Sequence, residues 1–300
     1  MSLRYRAEAA LFFAFMALFK LLGLDRASAL GGWIGRNIGP LLNSDRTARA
    51  NLAAAFPEKT QAQRDVIRMA MWNNLGRVVA EYPHLDKFSP HGPDARIAVT
   101  FRTGFTPDQA HGQAAMFLSG HFANWEMMPI LGHQLGYEGA TVVRPPNNPM
   151  VAQYIERQRG LSGPKAQIAK HNAVRRMIGY LKGGKALYML VDQKNNEGLA
   201  APFFGRIAMT TPAPAALALK LKAKILIAAN RRLEGAHFHV TVHDGPDFTP
   251  SGNETADIQS LTEILTARIE AIVREDPAQW LWIHRRWPTE KDRAQMARAQ

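Results

Sequence analysis

The chain has 300 residues, no cysteine and a net charge of +12, from 37 Lys and Arg against 25 Asp and Glu. The lack of cysteine excludes disulfide scaffolds, cysteine zinc sites, iron–sulfur clusters and thiol nucleophiles. A hydrophobic content of 46% supports a sizeable core and excludes a wholly disordered chain. The positive charge indicates an anionic partner, which is a nucleic acid, an anionic membrane surface or an acidic protein.

The N-terminus begins with an apolar run. Residues 9–24 read AALFFAFMALFKLLGL, with Lys20 as the only charge. As a helix this run would be ~24 Å long, against a membrane hydrocarbon core of ~30 Å. We therefore expect residues 1–40 to be a membrane-anchoring helical segment, spanning or deeply inserted, that precedes a second domain over residues 41–300. A cleaved signal peptide, with small residues at 27–29, and a buried core helix are the alternatives.

Residues 25–90 have helical patterns. Asn43 and Ser44 offer caps for a helix over residues 45–56, which Pro57 ends. Thr60 can cap a longer helix, in which apolar residues recur at helical spacing until Pro83. The sequence therefore predicts a helical N-terminal region.

From residue 96 the pattern changes, and short apolar runs alternate with helical stretches. Such alternation predicts an α/β fold with a mostly parallel mixed sheet flanked by helices, in which ligands bind beyond the carboxyl ends of the strands. We expect the last two strands, joined by residues 231–235, to form an antiparallel hairpin at one edge. The predicted strands are 97–101, 114–118, 140–143, 186–191, 224–229 and 237–243, and the predicted helices are 123–135, 149–158, 172–181, 211–220 and 256–274.

A histidine followed five residues later by a carboxylate is the pattern that best fits a catalytic site. About one such pair is expected by chance from this composition. The three pairs are His121 with Glu126, His133 with Glu138, and His239 with Asp244. The second pair flanks a helix end at Gly136, and the two residues of the third pair would point to opposite faces of a strand.

His121 is placed differently from the other two histidines. It follows an apolar strand and a glycine, and it precedes a helix that Asn124 can cap. A turn from strand to helix can bring such a histidine back over Glu126 in the first helical turn. The carboxylate would then fix the tautomer of the ring and leave the other nitrogen as a general base. The alternative is a surface histidine beside a helix N-terminus.

Several sequence blocks resemble a known family. GHFANWE at 120–126 is similar to the HxxxxD/E box of the glycerolipid acyltransferases, in the Glu form typical of the lipid A biosynthesis (lauroyl/myristoyl) acyltransferases. The resemblance covers nearly the whole chain, with departures at Ala123, where the family usually has Gly, at Val143, where it has Tyr, and in a short polar stretch after Asp192. The further blocks are VRP at 143–145 with NNP at 147–149 and Arg159, LVDQ at 190–193, PFFG at 202–205 and WLWIHRRW at 280–287.

The resemblance implies a glycerolipid acyltransferase-like fold and an O-acyltransferase. Its reaction would move a fatty acyl chain from an acyl carrier protein thioester to a hydroxyl of a lipid A precursor, on the cytoplasmic face of the bacterial inner membrane. His121 would be the general base, oriented by Glu126, and attack would be direct. We therefore predict His121, Glu126 and Arg159 as catalytic residues and Asn124, Arg144 and Asp192 as substrate-binding residues.

The expected partners follow from this chemistry. They are an acyl carrier protein, an anionic glycolipid acceptor and the membrane. A thioester is already activated, so we expect no metal, no cofactor and no covalent intermediate. Nucleic acid is not expected, because the basic residues are dispersed and the leader is apolar. The alternatives are another acceptor, such as a lysophospholipid or a phosphatidylinositol mannoside, and a non-enzymatic basic protein that binds membranes.

The closing segment, residues 280–287, combines three tryptophans with Arg285 and Arg286. Tryptophan favours membrane interfaces and arginine favours phosphates. Core packing of Trp280 and Trp282 is the alternative that the sequence leaves open.

Overall fold

A computed structural model describes residues 2–106, 112–169 and 173–288 of the chain. It contains the predicted helical N-terminal region followed by alternating strands and helices. The helices are α1 (Leu3–Leu22), α2 (Leu24–Ile38), α3 (Ser44–Ala55), α4 (Gln61–Glu81), α5 (Met127–Gln134), α6 (Pro149–Ser162), α7 (Ala173–Lys182), α8 (Ala213–Leu221) and α9 (Glu254–Glu275). The strands are β1 (Ile97–Arg102), β2 (Ala115–Ser119), β3 (Gly139–Val143), β4 (Ala166–Ala169), β5 (Ala186–Leu190), β6 (Leu199–Phe203), β7 (Arg206–Thr210), β8 (Lys224–Arg232) and β9 (Phe238–Asp244).

Seven strands form one sheet in the order β1-β9-β8-β2-β5-β3-β4. All neighbours are parallel except β8 and β9. Alternate residues of the central strand β2 enter different apolar clusters, since Met116 and Leu118 pack into one and Ala115 and Phe117 into the other. A strand buried on both faces in this way needs helices on both sides of the sheet. The predicted α/β class and mostly parallel mixed sheet are confirmed.

All six predicted strands are present, and three more were missed. The missed strands are β4, which has four residues, and the antiparallel pair β6 and β7, which forms a separate two-stranded sheet. β6 contains Pro202, and proline within an apolar run argues against a strand. The first residue of the predicted helix 172–181, Asn172, lies outside the described residues.

The predicted hairpin is present, but its position at the edge of the sheet was wrong. β8 and β9 pair antiparallel as expected. β1, however, pairs parallel with the outer side of β9, from Ile97 opposite Phe238 to Arg102 opposite His243. A turn between two strands predicts that they pair with each other, but it does not show whether the second strand pairs with another strand on its other side. Here β1, from much earlier in the chain, pairs with that side of β9.

The N-terminal helices pack on the body of the protein. α2 crosses α4 at glycines, so that a Cβ atom added to Gly76 would lie 2.0 Å from the carbonyl oxygen of Gly31. α1 contributes Met16 and Phe19 to a small buried cluster with Ala27 and Ala80. These contacts cross the predicted boundary at residue 40.

The hydrophobic run of the N-terminus lies in α1, which is helical from Leu3 to Leu22. Among the described parts of the chain, no helix combines the length and apolar character needed to cross a membrane. The anchoring role of residues 1–40 stays a prediction.

Candidate active site

The register of the two central parallel strands brings His121 and Asp192 together. Ser119 of β2 lies opposite Leu190 of β5, and the N–H of Val191 donates to the carbonyl of Ser119. Because the strands are parallel, the residues two positions further on leave the same edge of the sheet side by side. Nδ1 of His121 lies 2.8 Å from Oδ1 of Asp192, and the backbone N–H of His121 donates to Oδ2 at 2.7 Å.

Asp192 is a buried and charged acceptor. Its side chain is 2% exposed, and the indole N–H of Trp280 also donates to Oδ2, at 2.7 Å. Burial alone would raise the pKa of Asp192, but the His121 imidazole and these donors lower it to about 2. At neutral pH the carboxylate is therefore ionised and accepts a hydrogen from Nδ1 of His121. This fixes the tautomer that leaves Nε2 with a free lone pair.

The prediction that Glu126 orients His121 was wrong, because the Glu126 carboxylate has other hydrogen-bond partners in the structure. The Glu126 carboxylate accepts bonds from Nε and Nη2 of Arg159, at 2.6 to 3.0 Å, and from the hydroxyl of Tyr82 at 2.6 Å. The carboxylate that orients the imidazole is thus Asp192, 71 residues along the chain from His121. The physical reason is that the loop after β2 turns the Glu126 side chain towards Tyr82, which directly follows α4, and towards Arg159 of α6.

The Glu126 and Arg159 pair is itself buried, with the two side chains 2% and 17% exposed. Burial opposes the charge on Glu126, but the Arg159 guanidinium holds the pKa of this carboxyl below its ordinary value. Burial also opposes the charge on Arg159, and the facing Glu126 carboxylate raises the pKa of Arg159. Both groups therefore remain ionised, as a bidentate ion pair in the wall of the site.

Buried hydrogen bonds hold the loop after β2 in an unusual backbone conformation. Ala123 has a positive φ of 47°, and its carbonyl accepts from the Asn74 amide at 2.9 Å. The Asn124 amide donates to Glu81 at 2.8 Å, and Glu81 also pairs with Arg232. A left-handed alanine persists only where its surroundings over-determine it. This buried network therefore fixes the backbone that carries His121.

The prediction that Asn124 binds substrate is not supported by its position. Its side chain is fully buried and bonded to Glu81. Its Oδ1 accepts from the backbone N–H of Glu126 at 3.2 Å. The role of Asn124 is therefore to support the turn. Asp192, also predicted to bind substrate, instead holds His121.

His121 opens into a cleft of about 630 Å³ at the carboxyl ends of the strands. Predicted site residues Glu126, Arg144 and Arg159 also line it, and Arg144 is exposed at its mouth. Apolar side chains form much of the remaining wall, so the cleft offers both a charged end and a surface for an alkyl chain. These apolar residues include Trp125, Met128, Val142, Ile155, Leu190 and Leu281.

Four residues of the site were missed or had no role assigned. Gln193 and His284 line the cleft, and Nε2 of Gln193 lies 3.1 Å from Nε2 of His121 and 3.0 Å from Nε2 of His284. Gln193 follows Asp192 at the end of a strand, where ligand-binding residues of such a sheet are expected, so the sequence alone could have identified it. Tyr82 and Trp280 contact Glu126 and Asp192 through tertiary packing, and no local sequence pattern predicts these contacts.

The closing segment packs into the core. Trp280, Trp282 and Trp287 are 2%, 0% and 7% exposed, so the core alternative is confirmed for Trp280 and Trp282. Arg286 is also buried and donates to the carbonyl of Met209 and to Thr210. The segment runs alongside the loop after β2, where Phe122 and Trp280 form an antiparallel bridge. It thereby brings the indole of Trp280 to Asp192.

Within the described ranges, no group of three or more His, Asp or Glu side chains is arranged to hold a metal ion. The polar groups at the cleft include the His121–Asp192 pair, the Glu126–Arg159 ion pair, the exposed Arg144, the Gln193 amide and the His284 imidazole. Such a set can remove a proton from a hydroxyl and bind an anionic group.

Comparisons with known proteins agree with this arrangement. The sequence profile of the family described as bacterial lipid A biosynthesis acyltransferase matches residues 2–289. A lipid A biosynthesis palmitoleoyltransferase of Escherichia coli (strain K12) is 24% identical over 270 residues, covering 87% of this chain and 84% of the relative. A lipid A biosynthesis acyltransferase of Haemophilus influenzae is also 24% identical, over 269 residues, covering 87% and 83%. The chain thus belongs to the bacterial lipid A biosynthesis acyltransferase family.

Proposed function

We propose that this O-acyltransferase moves a fatty acyl chain from an acyl carrier protein thioester to a hydroxyl of a lipid A precursor, with His121 as general base. The observation that carries the proposal is the 2.8 Å contact between Nδ1 of His121 and the ionised Asp192, at the wall of a partly apolar cleft. Asp192 takes the orienting role that the sequence had suggested for Glu126.

The proposed reaction is a direct transfer. Nε2 of His121 accepts the proton of the acceptor hydroxyl as its oxygen attacks the thioester carbonyl carbon. The tetrahedral intermediate then collapses, the carbon–sulfur bond breaks, and the proton passes from the imidazolium to the leaving thiolate. The products are an ester and a free thiol, and His121 is neutral again. Asp192 stabilises the imidazolium while it exists.

Arg144 and Arg159 are proposed to act on the anionic groups of the substrates. Arg144 is exposed at the cleft and is free to reach a phosphate of the glycolipid, which a guanidinium binds through two parallel hydrogen bonds. Arg159 is fixed by Glu126 and Tyr82, so it acts as a stationary positive charge near the reacting atoms. No cofactor enters, because the thioester supplies an activated acyl group.

The N-terminal helices are proposed to contact the inner membrane, with the catalytic domain on its cytoplasmic face. Support comes from large apolar side chains that α1, α2 and the segment after them leave in solvent. Leu11 is 62% exposed, Leu21 87%, Trp33 62% and Leu41 81%. A lipid acceptor lies in a membrane, so an apolar surface close to the site would shorten its path.

The proposal is tested with the purified full-length protein, an acyl carrier protein thioester and three separate acceptors. These are an incompletely acylated lipid A precursor, a lysophospholipid and a phosphatidylinositol mannoside. Mass spectrometry should find one added acyl chain on the lipid A precursor, with the thiol of the carrier released in equal amount. Transfer only to one of the other two acceptors would overturn the acceptor assignment. If only coenzyme A thioesters served as acyl donors, the assignment of an acyl carrier protein as the donor would be wrong.

A further inference from the structure

We infer that Gln193 donates a hydrogen bond to the oxyanion of the tetrahedral intermediate, and that His284 is the positioning residue that holds its amide. This inference rests on the proposed function and assigns roles to two cleft residues that the mechanism above does not use. The juxtaposition behind it is a single amide nitrogen placed between two imidazole nitrogens, 3.1 Å from His121 and 3.0 Å from His284.

The direction of these hydrogen bonds follows from Asp192. Because Asp192 accepts from Nδ1 of His121, Nε2 of His121 carries a lone pair and must accept. The group on Gln193 that faces it is therefore the NH₂ group, which has two hydrogens to donate. One is directed at His121 and the other at His284. The amide of Gln193 is thus oriented by its partners, with a donor at the base.

His284 is suited to accept the second of these hydrogens. Its side chain lies beside His121, with the ring centroids 5.5 Å apart, and its backbone carbonyl is held by Asn51 at 2.6 Å. Burial, together with the neighbouring His121 and Arg144, lowers the pKa of His284 to about 4. A neutral imidazole keeps a lone pair for the amide, whereas a protonated one could only donate.

Substrate binding turns this arrangement into a donor for the intermediate. The acceptor hydroxyl needs Nε2 of His121, so it displaces the Gln193 amide from that nitrogen and frees one N–H. The attacking oxygen bonds to the carbonyl carbon, the carbonyl π electrons move to its oxygen, and the proton goes to Nε2. The new oxyanion lies one carbon away from the attacking oxygen, within reach of an amide that has moved only slightly. When the carbon–sulfur bond breaks, the charge leaves the oxyanion and the amide can return to His121.

An oxyanion donor acts on the transition state more than on the bound substrate. Removing one such donor typically lowers kcat by 10²- to 10³-fold. We therefore expect Gln193→Ala to lower kcat by about this factor while KM changes little. The same variant should slow the acceptor-independent hydrolysis of the thioester, because attack by water passes through a similar oxyanion.

The test uses the full-length protein, a dodecanoyl thioester of acyl carrier protein and an incompletely acylated lipid A precursor. Gln193→Ala, His284→Ala and the double variant form a cycle, with Gln167→Ala as a control glutamine outside the cleft. If His284 acts through Gln193, replacing it lowers kcat in the natural background and has little further effect in the Gln193→Ala background. Melting curves of each variant separate loss of fold from loss of rate.

Two results would overturn the inference. One is a folded Gln193→Ala enzyme whose kcat is within threefold of the natural enzyme. The other is a His284→Ala effect of equal size in both backgrounds, which would mean that His284 acts independently of Gln193. Both leave the role of His121 intact. If the natural enzyme itself transferred no acyl chain to the precursor, the proposed function would fail instead.

Discussion

At the scale of single residues, the site depends most on Asp192. This carboxylate accepts three hydrogen bonds, two from His121 and one from Trp280. It fixes the ring, the tautomer and the backbone of His121 at once. Its position next to His121 follows from strand register, so the sheet itself holds the imidazole and the carboxylate together.

Asp192→Asn is expected to lower kcat by about 10²- to 10⁴-fold, because an amide can present its N–H to Nδ1 and favour the wrong tautomer. The control is Asp247→Asn, which lies outside the cleft. Rates measured with saturating substrates check the prediction. A variant that keeps the natural kcat would show that Asp192 has only a structural role.

The stability of the fold should depend on pH through the same residue. The pKa of Asp192 falls from 3.8 to about 2 on folding, so the folded protein favours the charged form. The associated stability, about 2 kcal/mol, is present above pH 4 and is lost as the pH falls towards 2. The difference in unfolding free energy between the natural protein and Asp192→Asn should therefore shrink by about this amount in denaturant titrations from pH 5 to pH 2. A difference that is constant over this range would contradict the lowered pKa.

Glu126→Gln is expected to destabilise the protein by about 3 to 5 kcal/mol, since it leaves the largely buried Arg159 without its counter-charge. Denaturant titration measures this loss. Glu8→Gln is the control, because Glu8 forms an exposed pair with Arg4 and its removal should not change the titration. If Glu126→Gln were as stable as the natural protein but inactive, Glu126 would act on the chemistry directly.

At the scale of elements, the sequence indicates where the strands lie more reliably than which strands pair with each other. Apolar runs such as residues 186–190 identify a strand, and the residues that follow it are expected at the site. Strand order is set by long-range packing, and only the order β2-β5 makes Asp192 the neighbour of His121. Without that order, Glu126 was the nearest carboxylate in the sequence. The short strand β4 and the proline-containing β6 were missed because their local patterns are weak.

The packing of α2 on α4 offers a test at this scale. Gly76→Ala places a methyl group 2.0 Å from the backbone oxygen of Gly31, which cannot move without shifting α2. We expect a loss of about 1 to 3 kcal/mol in unfolding free energy. Gly179→Ala in α7 is the matched control, since its Cβ atom meets nothing within 4 Å, and it should stabilise the helix by up to about 1 kcal/mol. Equal effects of the two substitutions would rule out close packing as the reason for Gly76.

At the scale of the whole molecule, positive charge and exposed apolar side chains are two features that favour a lipid surface. The net charge is +12, and the N-terminal helices expose large apolar residues. Anionic lipids attract such a charge, and apolar side chains then insert at the interface. The helix α2, which contributes to this surface, packs closely on α4.

Binding to vesicles tests this combination. Leu11→Ser with Leu18→Ser is expected to weaken binding to vesicles of mixed neutral and anionic phospholipids by about tenfold or more, because two exposed apolar groups are lost. Ile207→Ser, a single change of an exposed apolar residue in the two-stranded sheet, should leave binding unchanged. Co-sedimentation at several salt concentrations measures both. Equal losses in both variants would contradict a specific membrane role for α1.

The most direct test of the account is the rate of acyl transfer by His121→Ala, measured beside His133→Ala. His133 is an exposed histidine on α5 that does not line the cleft, so its replacement controls for the loss of an imidazole elsewhere in the protein. We expect His121→Ala to fold normally and to transfer acyl chains to the lipid A precursor at least ~10²-fold more slowly, whereas His133→Ala should be as active as the natural enzyme. Transfer at the natural rate by folded His121→Ala would contradict the role of His121 as general base.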